Sequence, residues 1–490
     1  MRARPSFGSE QTLATPSIGA AIREHMMTDQ AMNFRGDRHP ADSYEDVLAR
    51  EDRPIPAYMR EGRQLGDGAM TVATERYCNP AFAAKEVRHV WLKTWQFACR
   101  EEDIPKPGDF HVYEVVGKSL IVIRQDDGSI KALHNVCLHR GRKLVSGKGC
   151  RSEIKCPYHA FTWAIDGAYK SNPIPWDFPH IEPAEFRLPE ARVDTWGGFV
   201  FVNFDPGAKP LLDVIAPLAT DFERFDFANR YRAIWVQKKC RCNWKALSEA
   251  FAESFHSITT HPQILPGIGD ANSQFDCPND YVSRQFSATG IASPFIAPLS
   301  EQEIFSHLTG ARTRITVDGG AQLPEGATAR SALAAMAREN LAAETGKDYS
   351  DATDGEMLDS ILYDVFPNMA FWAGHVSNIV YRWRPNGLSP NEAIMDIMIL
   401  KPVPASGERP RPAPVFEIGL DESMTLANDI LGPGLAAVFE QDMLNLPQVQ
   451  AGLEASETGR VYLGRYAEQK IRALHLMIDR YIAAGEALEA

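Results

Sequence analysis

Two short Cys–His pairs, Cys137-x-His139 and Cys156-x-x-His159, lie in the stretch CLHRGRKLVSGKGCRSEIKCPYHAF with sixteen residues between them. Each pair sets one thiolate and one imidazole on a tight turn. Whatever binds these four donors together requires two loops held side by side by a scaffold beneath them. Gly141, Gly147 and Gly149 between the pairs suit such loops. Zinc accepts two Cys and two His in a tetrahedron. A two-iron, two-sulfide centre accepts them differently, with two His replacing two Cys on one iron. Zinc fingers usually pair Cys with Cys and His with His. Here each turn offers one of each, so one turn can ligate both irons, and the order favours the iron–sulfur centre.

The chain has 490 residues, more than one hydrophobic core usually spans, so two domains are expected. A net charge of -13 argues against nucleic acid and against an anionic membrane surface as partners. No apolar run reaches the roughly 18 residues of a spanning helix. The N-terminus MRARPSFGSEQTLATPSIGA lacks an apolar signal core, and Met26, Met27 and Met32 are alternative starts. A cytoplasmic protein is the expectation. The eight cysteines are too few for a disulfide scaffold in a chain this long, and the Cys240-x-Cys242 pair falls in a strand-like segment.

The pattern along the chain is α+β. Residues 1–70 are polar, with little apolar periodicity, and read as a loosely ordered arm. Residues 71–205 read as a β-rich domain with a leading helix: FHVYEVVG, SLIVIRQ and IKALHNV are short strands, with DDGS as a hairpin turn. DPGAKP is the linker. Residues 206–490 read as a catalytic domain with an antiparallel sheet covered by helices. In it, SNIVYRWRPNG and NEAIMDIMILKPV are paired strands, SALAAMARENLAAETG is an exposed helix, and VYLGRYAEQKIRALHLMIDRYIAAG is a closing amphipathic helix.

A second constellation lies in NWKALSEAFAESFHSITTHP. Read as a helix, it puts Glu253 and His256 on one face. His261, five residues beyond His256, falls roughly 140° away. Both imidazoles reach one metal only if the helix loosens between Ser257 and Thr260, and Pro262 makes that plausible. Two His and one carboxylate form the facial triad of non-haem Fe(II) oxygenases. Glu253, Glu440 and Asp442 are the candidate carboxylates. The apolar cluster Phe366, Met369, Phe371 and Trp372 reads as a pocket wall or as core.

CLHRG and CPYHAFTW resemble the Rieske motif, and residues 75 to 475 resemble the large (α) subunit of Rieske non-haem iron oxygenases. The resemblance implies that Cys137 and Cys156 bind one iron of a [2Fe–2S] cluster and His139 and His159 the other. It assigns the mononuclear Fe(II) to His256, His261 and Asp442, with Glu440 as fallback. It makes Glu253 the bridge between this iron and the cluster of a neighbouring subunit. Most family dioxygenases carry Asp at that position; Glu resembles the branch that oxidises quaternary amines such as carnitine and glycine betaine, although EAFAESFH lacks that branch's Asn. The implied activity is O2-dependent hydroxylation of an apolar, aromatic compound, with N-methyl or quaternary amine oxidation as the alternative. The implied partners are a flavin-dependent reductase drawing on NAD(P)H, a separate ferredoxin in some systems, and further copies in a homotrimer or an α3β3 assembly.

Overall fold

The computed structural model describes residues 41–310, 321–376, 378–406 and 408–489. The first forty residues of the expected arm lie outside these. From residue 41 the polar chain is packed rather than loose. Ser43 and Asp46 form a capping box on the helix Tyr44–Leu48, and Tyr44, Leu48 and Met59 are buried. The Tyr44 hydroxyl donates to Asp359 at 2.9 Å, and Arg330 ties Glu51 to the same carboxylate. Composition suggested an arm because the few apolar residues are spaced for contacts with a distant part of the chain.

The first domain is built on a seven-stranded antiparallel sheet. Its order is Gln96–Arg100, Phe199–Asn203, Glu190–Trp196, Ile130–His134, Lys118–Arg124, Asp109–Val115 and Lys148–Cys150. Gly128 closes the expected DDGS hairpin at φ +84°, a conformation that L side chains rarely adopt. A small sheet of Glu153–Lys155, Thr162–Ala164 and Tyr169–Ser171 stands on one side. Between the sheets Phe110, Ile121, Leu133, Phe161 and Trp163 bury a core that also takes in Cys137 and Cys156.

The leading segment does not belong to this domain as expected. Strand Thr71–Ala73 pairs with Arg460–Tyr462, and Val72 and Tyr77 pack on Ala246 and Leu453 of the second domain.

The second domain is an eight-stranded sheet. Its order is Gln274–Asp276, Val282–Ser287, Ser360–Val365, Met369–Trp372, Asn378–Pro385, Ala393–Pro402, Arg230–Cys240 and Phe416–Ile418. Only the last pair is parallel. The helices Trp244–Glu249, Pro433–Glu454 and Gln469–Glu489 pack on it and on one another. The closing helix starts at Gln469, later than its periodicity suggested, because residues 460–462 are taken by the strand pairing. The helix Ala329–Thr345 is not an exposed one: Leu333, Ala337 and Leu341 bury a core against Phe305 and Met357.

The two sheets share their cores. Phe97, Phe199 and Phe201 of the first pack with Tyr363, Phe371 and Met398 of the second. Arg382 reinforces the joint, donating to the Phe97 and Ala98 carbonyls at 2.9 Å each. The Cys–His loops and the second His pair are therefore carried on one packed body.

Candidate metal centres

The first centre is assembled by two turns. The Gly141 N–H donates to the Cys137 carbonyl and the Ala160 N–H to the Cys156 carbonyl, each at 2.9 Å, which curls each loop back on its cysteine. Both thiols are buried, whereas His139 and His159 are half-buried with ring centroids 4.7 Å apart. Phe161 stacks on His139 at 4.5 Å and fixes its plane. The Nδ1 of His139 is buried and has no hydrogen-bond partner among the described residues. Burial, then His159 and Arg140, hold this imidazole below its ordinary pKa. Two buried thiols beside an orphaned, neutral ring nitrogen fit an iron–sulfur cluster.

The second centre differs from its sequence-based picture in where the helix breaks. The helix ends at Glu249, and residues 250–256 run as turns. The stretch expected to loosen, Ser257–Thr260, is instead a single helical turn. Distortion falls on its flanks, and His261 leaves the helix at φ -124° and ψ 53°. Just before that turn, the Glu253 carboxylate accepts the His256 backbone N–H at 3.1 Å. Glu253 and His256 are thus brought together by a backbone and a ring contact in a turn, not by a helix face.

Asp442 comes from the opposite direction, on the helix Pro433–Glu454. It sits among Phe439 and Leu446 on the buried stripe of that helix, a carboxylate where spacing calls for an apolar residue. Its Oδ1 lies 3.0 Å from His261 Nε2 and 3.7 Å from His256 Nε2. One ligand atom from each of the three residues falls within 4.8 Å of the others. Glu440, the fallback, points elsewhere and accepts the Met424 N–H at 2.7 Å.

The outer nitrogens of both rings are already engaged. His256 Nδ1 lies 2.5 Å from Glu253 Oε1, and His261 Nδ1 lies 2.8 Å from Gln441 Oε1. Gln441 Oε1 also accepts from Gln263 Nε2 at 2.7 Å. Carboxylate and amide oxygens only accept, so Nδ1–H donates and each Nε2 presents its lone pair to the space beside Asp442. Burial opposes a charged His256, but Glu253, with Asp442 and Asp270, outweighs it and raises its pKa. A divalent cation relieves the same field, so the donor set fits a mononuclear iron. The sequence offered no signal for Gln441, Gln263 or Asp270; they act through partners distant in the chain.

The apolar cluster divides between cavity and core: Phe366 and Met369 border a cavity of about 40 Å³ beside the closing helix. Phe371 packs on Phe199 and Trp196 of the first domain at 5.1 and 5.8 Å, and Phe366 stacks on Tyr481 of the closing helix at 5.6 Å. Met369 is buried beside Phe371, while Trp372 packs against the other core. Phe251 and Phe439, a few residues from the triad in sequence, are joined to Tyr381 at 5.2 and 6.2 Å.

Two family models match the chain. The Rieske [2Fe-2S] domain covers residues 94–181, and the catalytic domain of the ring-hydroxylating alpha subunit covers residues 226–484, more than half of the sequence. The chain belongs to the ring-hydroxylating alpha-subunit family. The family carries a Rieske cluster and a mononuclear iron that uses O2.

Among curated relatives, the glycine betaine monooxygenase oxygenase subunit of Pseudomonas aeruginosa is 28% identical over 253 residues, which is 51% of this chain and 57% of the relative. The carnitine monooxygenase oxygenase subunit of Escherichia coli is 26% identical over 208 residues, 41% of this chain and 54% of the relative. The chain thus spans about half the length of the curated relatives it matches. The fold resembles the quaternary ammonium Rieske monooxygenase CntA solved with L-carnitine (TM-score 0.59, 16% identity, 86% of this chain and 99% of that one). It also resembles naphthalene 1,2-dioxygenase solved with indole (TM-score 0.58, 19% identity, 86% and 94%). No helix among the described residues is long and apolar enough to cross a membrane.

Proposed function

We propose that this chain is the oxygenase component of a monooxygenase acting on an N-methyl or quaternary amine. The observation that carries the oxygenase reading is the convergence of two Nε2 atoms and Asp442, each ring held from behind by an acceptor. The amine reading is supported by the named substrates of the relatives and by Glu rather than Asp at position 253. It displaces the aromatic substrate expected first: the named relatives do not support aromatic hydrocarbon catabolism, and the likeness to naphthalene 1,2-dioxygenase extends to the fold.

In this reading Cys137, Cys156, His139 and His159 hold the cluster, and His256, His261 and Asp442 hold the iron. When bound, these centres supply one-electron transfer and O2 activation respectively. The residues of the chain do the rest. Glu253 and Gln441 orient the two imidazoles, and Asp442 supplies negative charge to the cation. Hydroxylation of a carbon attached to nitrogen consumes O2, two electrons and two protons and leaves water. The hydroxylated product then breaks its C–N bond, giving an aldehyde and the amine with one methyl or alkyl group fewer. The electrons come from NAD(P)H through a reductase.

The expected measurement is O2 uptake with aldehyde release on a panel of glycine betaine, carnitine and choline, with naphthalene and benzoate giving none. Turnover of an aromatic substrate and of no amine would reverse the assignment.

Glu253 has a second task in this reading. The histidine side of the first centre opens at a surface bearing Tyr158, Ile174 and Trp176, which are 55%, 43% and 77% exposed. Exposed Phe255 and Leu444 flank the second centre in sequence. These surfaces support pairing of the first centre of one subunit with the second centre of another, as in a cyclic trimer. Each Glu253 oxygen has used one acceptor site on His256 and retains another for His159 of the neighbour. Glu253→Gln replaces an oxygen with an NH2 group that faces an imidazole N–H. It should keep both metals and slow transfer from cluster to iron between about 10- and 100-fold in single turnover. An unchanged transfer rate would remove Glu253 from the path.

A further inference from the structure

The two imidazoles of the second centre are backed by acceptors of different strength. His256 Nδ1 faces a carboxylate oxygen of Glu253 at 2.5 Å, a short contact to a charged acceptor. His261 Nδ1 faces the amide oxygen of Gln441 at the longer distance of 2.8 Å. That oxygen is neutral, and it is shared, since Gln263 Nε2 also donates to it at 2.7 Å. Gln263 Oε1 accepts in return from Gln441 Nε2 at 3.3 Å, so the two amides bond reciprocally and fix the plane of Gln441. Gln441 lies beside Asp442 on the helix Pro433–Glu454, and Gln263 lies two residues beyond His261. The amide pair therefore ties together the two segments that bring ligands to this centre from opposite directions.

The difference between the acceptors has a chemical consequence. A carboxylate that accepts from Nδ1–H pulls that proton toward itself and makes Nε2 a stronger donor to a metal. A neutral amide does so far less. Stronger donors favour the higher oxidation state of an iron and lower its reduction potential. Asp442 and Glu253 already place two carboxylates against the rings. A third, behind His261, would strengthen the one ligand that is now backed by a neutral group.

We propose that Gln441 keeps the iron reducible by the cluster, its neutral amide holding His261 in the ligating tautomer without making it a strong donor. This role rests on the oxygenase reading, in which one electron leaves the reduced cluster and converts Fe(III) to Fe(II). The Nδ1 proton stays on His261 throughout. The oxidised cluster is reduced again by the reductase, which draws on NAD(P)H. Gln441 acts through His261 and is a positioning residue, and Gln263 holds its amide in place.

A redox titration of the holoenzyme at pH 8, where an added carboxyl is ionised, tests this. The EPR signals of ferric iron and of the reduced cluster report both centres in one sample. At a given degree of cluster reduction, Gln441→Glu should lower the ratio of Fe(II) to Fe(III) by about ten-fold or more, and Gln441→Leu should raise it. Gln441→Leu should also weaken Fe(II) binding by about 10- to 100-fold in competition with a chelator, whereas Gln441→Glu should not weaken it. An unchanged cluster spectrum in both variants reports an intact fold. Loss of packing alone would move the two variants the same way, so opposite shifts mark control of donor strength. Equal potentials in all three proteins, or shifts of one sign in both variants, overturn the proposal. No substrate is present, so an error in the substrate class leaves the result unaffected. A wild type that holds no iron beyond its cluster would refute the oxygenase reading and this role with it.

Discussion

Chains carrying Cys156→Ser and chains carrying His261→Ala are each expected to be inactive alone, and an equal mixture that exchanges subunits should recover about a quarter of wild-type turnover. Cys156 is a buried thiol of the first centre, and His261 is a buried ligand candidate of the second, only 3% exposed. Losing either should empty one centre and spare the other. Cys156→Ser should lose the cluster spectrum and keep mononuclear iron. His261→Ala should keep the colour and lose turnover. If electrons cross between subunits of a closed ring, an active pair needs an iron-competent chain beside a cluster-competent one. Each condition is met with probability one half, hence the quarter. Transfer within one chain predicts no recovery, because no chain in the mixture carries both centres. An inactive mixture with demonstrated subunit exchange would exclude the inter-subunit route. Bleaching of the cluster by His261→Ala in a folded protein would show that the centres are not independent.

Asp396→Ala should destabilise the second domain by about 3–5 kcal/mol, the cost of stranding a buried partner charge. Asp396 sits in a row across three strands, opposite Arg382 on one side and Gln237 on the other. Its Oδ1 accepts from Trp235 Nε1 at 2.9 Å and Gln237 Nε2 at 2.7 Å. Its Oδ2 accepts from Arg382 Nε at 2.9 Å and from Arg384. Removing the carboxylate leaves Arg382 charged, fully enclosed and still tied to the first domain through the Phe97 and Ala98 carbonyls.

Burial disfavours the ionised form of Asp396, but Arg382 and Arg384 overcome it and hold the carboxyl well below the usual range. The unfolded chain therefore binds this proton more readily than the folded one. Asp396 contributes stability above the unfolded value near 3.9, and that contribution is lost as pH falls below it. Urea unfolding should show a large gap between wild type and Asp396→Ala at pH 7, narrowing as pH drops below about 4. A gap under about 1 kcal/mol at neutral pH would mean that the arginines find other acceptors.

Much of the first centre was legible in sequence because its candidate ligands are local. Cys137 with His139, and Cys156 with His159, are each confined to one turn, and only the sheet beneath them had to be inferred. The second centre was half legible. His256 and His261 are close in sequence, yet the form of the backbone between them was misjudged. Periodicity describes a helix that continues, whereas here it ends at Glu249 and resumes as one turn at Ser257. The apolar cluster could not be divided between wall and core for a related reason. Phe366, Met369, Phe371 and Trp372 are apolar in either setting, and no local pattern distinguishes a cavity wall from the seam between two sheets. The helix Ala329–Thr345 read as exposed because its buried face is mostly alanine and leucine, which helix propensity alone would also place there.

By itself the sequence determined the donor types, their grouping into two sets and the α+β order of the elements, since each depends on residues a few positions apart. Tertiary structure decided which carboxylate joins the histidines. Asp442 and Glu440 are two residues apart on one helix, which turns them about 200° from each other. Asp442 therefore faces His261 while Glu440 faces Met424. Tertiary structure also chose the tautomers, because Gln441 reaches His261 across 180 positions of chain. A side chain's direction is set by what its helix packs against, and that is a contact no local spacing contains.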